Sequence, residues 1–301
     1  MTGPVSNIYK SAIKDRQLNI LVYMLDGSFE YYLAQAYPEH HFYCLKQTAK
    51  VQYNDKVWSS GGNFHLSVNP PMDVVFDYVL CNDISQHKSA HVFSQLLNVP
   101  LIFIEHTTVP LPSDAPIDED KHYITHKLKE GKYLPYGVIE IEPSVPKDKI
   151  TVISEFAPRD VIIVQELLEK VKHPISIYGS NIGISNPINS YYDYINILAE
   201  SQIYLHITSD FVTPINVLHA MSAGCIVIGH DTPLMRTLIP QDCGFVINNM
   251  YEIKNLIDKI INNKEEYIQY GLNARRFIKD NFSINNLTTN LQNIFKQNTY
   301  L

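Results

Sequence analysis

The chain has 301 residues, 45% of them hydrophobic and 18% charged, with a formal net charge of −7. This is the composition of a folded chain with a substantial core, long enough for two domains of ordinary size. It excludes a disordered polyelectrolyte and disfavours a global, non-specific grip on nucleic acid, leaving only a local basic patch as a way to hold one.

The start, MTGPVSNIYKSAIKDRQ, has no apolar run of the secretory kind, and no stretch approaches the ~18 apolar residues of a membrane span, so a cytoplasmic protein is expected. Cys44, Cys81, Cys225 and Cys243 form no CxxC pair and read as reduced core residues.

In chain order, LNILVYM (18–24) reads as a buried strand. A turn at Asp26-Gly27-Ser28 and an aromatic-rich helix, FEYYLAQAY, follow it. HHFYCL (40–45) and FDYVLCN (76–82) are further strands, then ISQHKSAHVFSQLLN is a helix and PLIFIEH (100–106) a fourth strand. Segment 107–116 is rich in Pro and Thr and reads as a loop. EPSVPKDK (142–149) is the linker candidate.

After it the alternation restarts: strand ITVISEF, helix APRDVIIVQELLEKV, strand PISIYG, a polar loop, helix SYYDYINILAES, strand IYLHIT, helix TPINVLHAMSAG and strand CIVIGH. Helical patterns fill 251–262, 264–280 and 284–297. Continuous apolar strands alternating with helices predict parallel sheets covered on both faces, in two α/β halves with a cleft between them. In such sheets ligands bind outside the carboxyl ends of the strands.

The helix at 214–223 is the most informative element. Thr213 suits the N-cap, Pro214 the first helical position and Gly224 the residue just past the end. Its N-terminus therefore sits at the carboxyl end of IYLHIT, where the free N–H groups and the helix dipole suit a diphosphate. Ile215, Leu218 and Met221 are spaced to face the core, while Asn216 and His219 share another face. Taken alone, that pair is either a hydrogen-bonded or solvated stripe or part of a ligand site.

TPINVLHAMSAGCIVIGHDTPLMRTLIPQDCGFVIN resembles the donor-binding half of GT-B glycosyltransferases, in particular the family 4-like group, with its LLEAMAxGxPVV core, G-x-P-E-x-I segment and GxL/V strand. IKNLIDKIINNKEEYIQYGLNARRFIKDNFS is similar to that group's terminal helices and their GxxARxxxxxxFS ending. ISEFAPRD, PISIYGSNIG and PLIFIEHT are similar to its first second-domain strand, its IxGxG turn and its strand ending in histidine.

The resemblance implies a GT-B fold of two Rossmann-like domains: an acceptor domain over 1–148, a nucleotide-sugar domain over 149–283, and a helix at 284–301 returning to the first. It implies transfer of a sugar from a nucleotide-sugar, UDP- or GDP-linked, with retention of anomeric configuration, no further cofactor and no metal.

By the same resemblance His219 stands where a glutamate contacts the donor ribose, and Phe211, with Asp210 beside it, stands where a glutamate contacts the donor sugar. Arg159 takes the place of a diphosphate-binding lysine, and Ser154 that of its partner arginine. Gly27 matches the turn that faces the diphosphate. Gly179 lets backbone approach a ligand, and Asn181 follows it. His106 ends PLIFIEH at the sheet mouth, suited to proton handling, and Asp83 is similarly placed.

Lys127, Lys129 and Lys132 in HKLKEGKYLPYG form a basic loop that suits a phosphate-bearing acceptor or is simply a solvated helix end; the acceptor itself, glycan, lipid or nucleic acid, stays open. DED (118–120) reads as surface, and no cluster has zinc spacing. Two rival functions remain at this point: a glycosyltransferase acting on DNA bases, and a non-catalytic GT-B module that binds nucleotide-sugar or a partner.

Overall fold

The computed structural model describes residues 16–25, 27–48, 56–106, 123–125, 134–145, 147–153, 158–179, 185–207 and 215–298. The first domain runs β1 (Asn19–Tyr23), α1 (Ser28–Ala36), β2 (His41–Leu45), β3 (Phe64–Ser67), β4 (Tyr78–Cys81), α2 (His87–Leu97), β5 (Leu101–Glu105) and β6 (Tyr123–Thr125). All pairings are parallel and the order is β3-β2-β1-β4-β5-β6. The chain builds outward from β1 to β3 and then reverses to β4, so the crevice for a ligand opens between the carboxyl ends of β1 and β4.

The second domain runs β7 (Lys149–Ile153), α3 (Pro158–Lys170), β8 (Ile175–Tyr178), α4 (Tyr191–Ala199), β9 (Ser201–His206), α5 (Ile215–Ser222), β10 (Ile226–His230), α6 (Pro233–Leu238) and β11 (Gly244–Ile247). Its parallel sheet has the order β11-β10-β9-β7-β8, so the reversal falls between β7 and β9. Helices α7 (Met250–Asn262), α8 (Lys264–Phe282) and α9 (Ile284–Asn298) follow. Both domains are thus Rossmann-like and face each other, as in the GT-B fold.

The strand reading holds for the central strands because each is apolar along its whole length: β1 is NILVY and β5 is LIFIE, with nearly every residue buried. Two edge strands, β3 and β6, escape that signal. FHLS buries only Phe64 fully, and YIT is three residues long. An edge strand needs little apolar surface, so no apolar run marks it. The helix expected through Ser201 stops at Ala199, and β9 begins at Ser201, earlier than the strand read from Ile203. The end of ITVISEF, 154–157, lies outside the described residues.

The junction is not a free linker. Leu134, Tyr136, Val138 and Ile141 are all buried as the chain crosses between domains. Val138 N–H donates to Phe282 O, and Ser222 Oγ receives Ile141 N–H and donates to Ile139 O. Lys147, inside the expected linker, donates to the carbonyl of Ala223 at the end of α5. Burial lowers its pKa, and its charge complements the negative end of that helix. One apolar cluster runs from Ile20 and Phe29 through Tyr136 to Leu218 and Ala220, joining the domains through shared core. The four thiols are free and buried, and burial raises their pKa, Cys225 to about 11.

The last helix crosses back to the first domain. Tyr37 Oη donates to Thr288 O at 2.7 Å, and Leu287 of α9 packs where a side chain at Gly137 would stand.

Candidate active site

The carboxyl ends of β1 and β4 in the first sheet, and of β7 and β9 in the second, flank the strand-order reversals at which such sheets hold ligands. After β1 the backbone turns at Gly27, whose φ of 90° is the left-handed conformation that favours glycine, and α1 starts at the next residue.

Beneath that turn lies Glu30, a residue to which the sequence reading gave no role. It is 0% exposed. Its carboxylate accepts Leu25 N–H at 2.8 Å, Gly27 N–H at 2.9 Å and the Asn82 amide at 2.7 Å. A buried charge is costly unless its oxygens are met by donors, and here three N–H groups meet them. Because a carboxylate only accepts, Asn82 must turn its NH2 toward Glu30. Its Oδ1 is buried with no hydrogen bond.

Asp83, expected at the reaction centre, is buried at the end of β4. Its oxygens receive Ser85 N–H at 3.0 Å and Ser85 Oγ–H at 2.5 Å, capping the short turn Ile84–Gln86. The local geometry gives it a capping role. His106 follows β5 and is 9% exposed, its ring edge-on to Phe29 at 4.7 Å and tilted to Tyr136 at 5.9 Å. These residues gather at one edge because β1, β4 and β5 are neighbours in the sheet.

In the second domain α5 begins at Ile215, directly after the loop that leaves β9. Ile215, Leu218 and Met221 are buried, as their spacing requires. Asn216 and His219 do share a face, and they converge on one hydroxyl: Tyr194 Oη lies 2.8 Å from Asn216 Oδ1 and 2.7 Å from His219 Nδ1. With the tyrosine proton given to Asn216, the imidazole carries its proton on Nδ1 and donates to Tyr194. His219 Nε2 is then a bare acceptor with no hydrogen bond. The ring is 0% exposed and lies 4.9 Å from the Tyr32 ring. Burial drives its pKa down to about 3, so it is neutral. In this conformation the ring presents no exposed surface to a sugar hydroxyl.

Around it Tyr31, Tyr32, Trp58, Tyr191 and Tyr194 form an aromatic contact between the domains, with Trp58 5.8 Å from Tyr191 and 5.6 Å from Tyr194. The sequence showed these rings only as an aromatic-rich helix and a YY pair; nothing in their spacing announced that they meet.

Gly179 follows β8 with φ 148°, and its N–H donates to Asn186 O at 3.1 Å. Arg159 falls in the first turn of α3, and its side chain is outside the described part. Asn181, Asp210, Phe211, Thr213 and Pro214 lie outside the described residues, as do Lys127, Lys129, Lys132 and DED (118–120). Among the described residues no group of three or more His, Cys, Asp or Glu could hold a metal, and no helix is long and apolar enough to cross a membrane. A hollow of about 480 Å³ lined by Gln241, Asp242, Gln269, Tyr270 and Asn273 opens beside the start of β11, on the edge opposite the cleft.

Two Rossmann-like domains, each with one parallel sheet, define the GT-B fold. Residues 159–293 match the family described as glycosyl transferase-like. That match lies within the second domain and the helices that follow it, and the chain as a whole has the GT-B fold.

The fold is similar to that of Anabaena HepE in complex with UDP and glucose, at 11% identity, covering 93% of this chain and 100% of that one with a TM-score of 0.69. It is also similar to a glycosyltransferase from Rickettsia africae, at 12% identity, 95% and 99% coverage and a TM-score of 0.65. Sucrose-phosphate synthase from Thermosynechococcus elongatus matches at 11% identity, 94% and 99% coverage and a TM-score of 0.64. Among curated proteins none matches the chain in sequence.

Proposed function

We propose that the protein transfers a sugar from a nucleoside-diphosphate sugar, UDP-linked in the first instance and GDP-linked as the alternative, to an acceptor held by the first domain. The observation that carries this is the start of α5 at the β7–β9 reversal of the second sheet. A helix N-terminus at such a point offers N–H groups and positive potential to a diphosphate. The complexes of HepE with UDP-glucose, and with UDP and glucose, support the same donor class.

In this reading Arg159, at the start of α3, supplies the fixed charge that the departing diphosphate requires, and the Gly27 turn closes on it from the first domain. His106, at the end of β5, borders the acceptor. The transfer retains anomeric configuration and uses no metal. The aromatic contact around His219 forms the wall of the donor site.

Thermal shift against UDP-, GDP-, ADP- and CDP-sugars with EDTA present tests this. A ligand at 100 times its Kd adds about 2.7 kcal/mol to stability. We expect one nucleotide class to raise the midpoint and Arg159→Ala to abolish the shift. No shift with any nucleotide would overturn the proposal.

A further inference from the structure

Glu30 does more than cap a helix. A cap needs only a local acceptor for the first N–H groups, whereas this carboxylate joins two separate pieces of chain: the loop after β1, at Leu25 and Gly27, and Asn82 at the end of β4. Those pieces flank the point where the strand order of the first sheet reverses. Asn82 is tied from the other side as well, its N–H donating to Tyr23 O at 3.1 Å. Glu30, Gly27 and the two strand ends thus form one hydrogen-bonded unit at the mouth of the first domain.

We infer that Glu30 is a positioning residue for the transfer reaction: its buried carboxylate holds the Gly27 turn and the end of β4 in the arrangement that meets the donor's diphosphate. This rests on the nucleotide-sugar reading above. The residue acts through the backbone it holds. Oε1 accepts from both Leu25 and Asn82, while Oε2 accepts from Gly27, so the two oxygens divide between the strand ends and the turn.

Glu30→Gln keeps the volume but replaces one acceptor oxygen by an NH2 group, which cannot accept from an N–H. One side of the unit must then let go. A second variant, Asn82→Ala, keeps both backbone bonds and cuts only the tie to β4.

The test is the affinity for UDP, measured by calorimetry on the folded protein well below its melting temperature, together with the binding stoichiometry. If wild type does not take UDP, GDP is the probe. We expect Glu30→Gln to weaken nucleotide binding about tenfold or more, the order of one charge-assisted hydrogen bond, and Asn82→Ala to weaken it less, in both cases at unchanged stoichiometry.

A role confined to stability lowers the binding-competent fraction and the melting temperature and leaves Kd in place; that result would overturn the inference. If Glu30→Gln does not fold, Asn82→Ala decides alone, and an unchanged Kd there is equally fatal. Wild-type protein that binds no nucleotide removes the donor reading itself, and this inference with it. Wild-type binding with undisturbed variants removes only the inference.

Discussion

The hydroxyl of Tyr32, in the first domain, lies 3.0 Å from the hydroxyl of Tyr191, in the second. The bond sits among Trp58, Tyr31 and Tyr194, so the flank of the cleft is closed by rings from both domains. Aromatic pairs add roughly 0.5–1.5 kcal/mol beyond the area they bury.

Trp58 is the only tryptophan in the chain, and it lies on that border. Nucleotide binding should therefore change intrinsic tryptophan emission, in wavelength or intensity, with the same midpoint as the calorimetric titration. Tyr32→Phe should cost about 1 kcal/mol in urea denaturation, the net worth of one hydrogen bond. It should leave the emission response in place. A silent tryptophan at saturating nucleotide would mean that the aromatic border does not move.

His219→Ala should lower stability by about 3 kcal/mol, because it opens a cavity and leaves the Tyr194 hydroxyl short of a donor. UDP affinity should change little, since the ring is enclosed by Tyr32 and Tyr194. A loss of about tenfold in affinity at unchanged stability would instead return the ring to the ribose.

The same ring makes a pH prediction. An unfolded histidine titrates near 6.5, whereas His219 in the fold titrates at about 3 because burial disfavours its charged form. Between those values the unfolded chain binds one more proton than the folded one, so stability falls as pH falls. Each such group contributes about 1.4 kcal/mol per pH unit within the window and nothing above it. His40 and His87, lowered by burial too, add to the slope at its upper end. Denaturation midpoints taken from pH 7 to pH 4 should decline, and His219→Asn should flatten the decline.

Gly271→Ala should destabilise by about 1–3 kcal/mol, the usual cost of overpacking. A methyl group there would run into the carbonyl oxygen of Gly224, which has φ 72° and ends α5. The strain would sit where α8 packs against the end of α5. Thermal melting is the check, and a variant as stable as wild type would show that α8 can shift without resistance.

Much of the fold was legible because the central strands are apolar throughout and the helices between them carry clear ends. The edge strands β3 and β6 were not, since a few half-covered residues leave no run to see. Helix α6 was missed although its signal was present: Thr232 and Pro233 repeat the Thr-Pro start read at 213–214, and Thr232 Oγ1 accepts Met235 N–H at 3.1 Å.

The site was legible by chain position more than by role. Asn216 and His219 were read as sharing a face, and they do, but that face turns toward Tyr194. Glu30 was invisible for a physical reason: a glutamate in the first turn of a helix ordinarily sits in solvent beside the positive end, and only the tertiary approach of β4 buries it.

The return of α9 to the first domain has a consequence for how the protein is made. Tyr37 and its acceptor carbonyl on Thr288 are 251 positions apart, so the face of the first domain around α1 stays uncovered until α9 has left the ribosome. Contacts of such span are closed late and slowly. The first domain is therefore finished only after the second has been made, and a nascent chain arrested before residue 284 would expose to chaperones the surface that the folded protein keeps under α9.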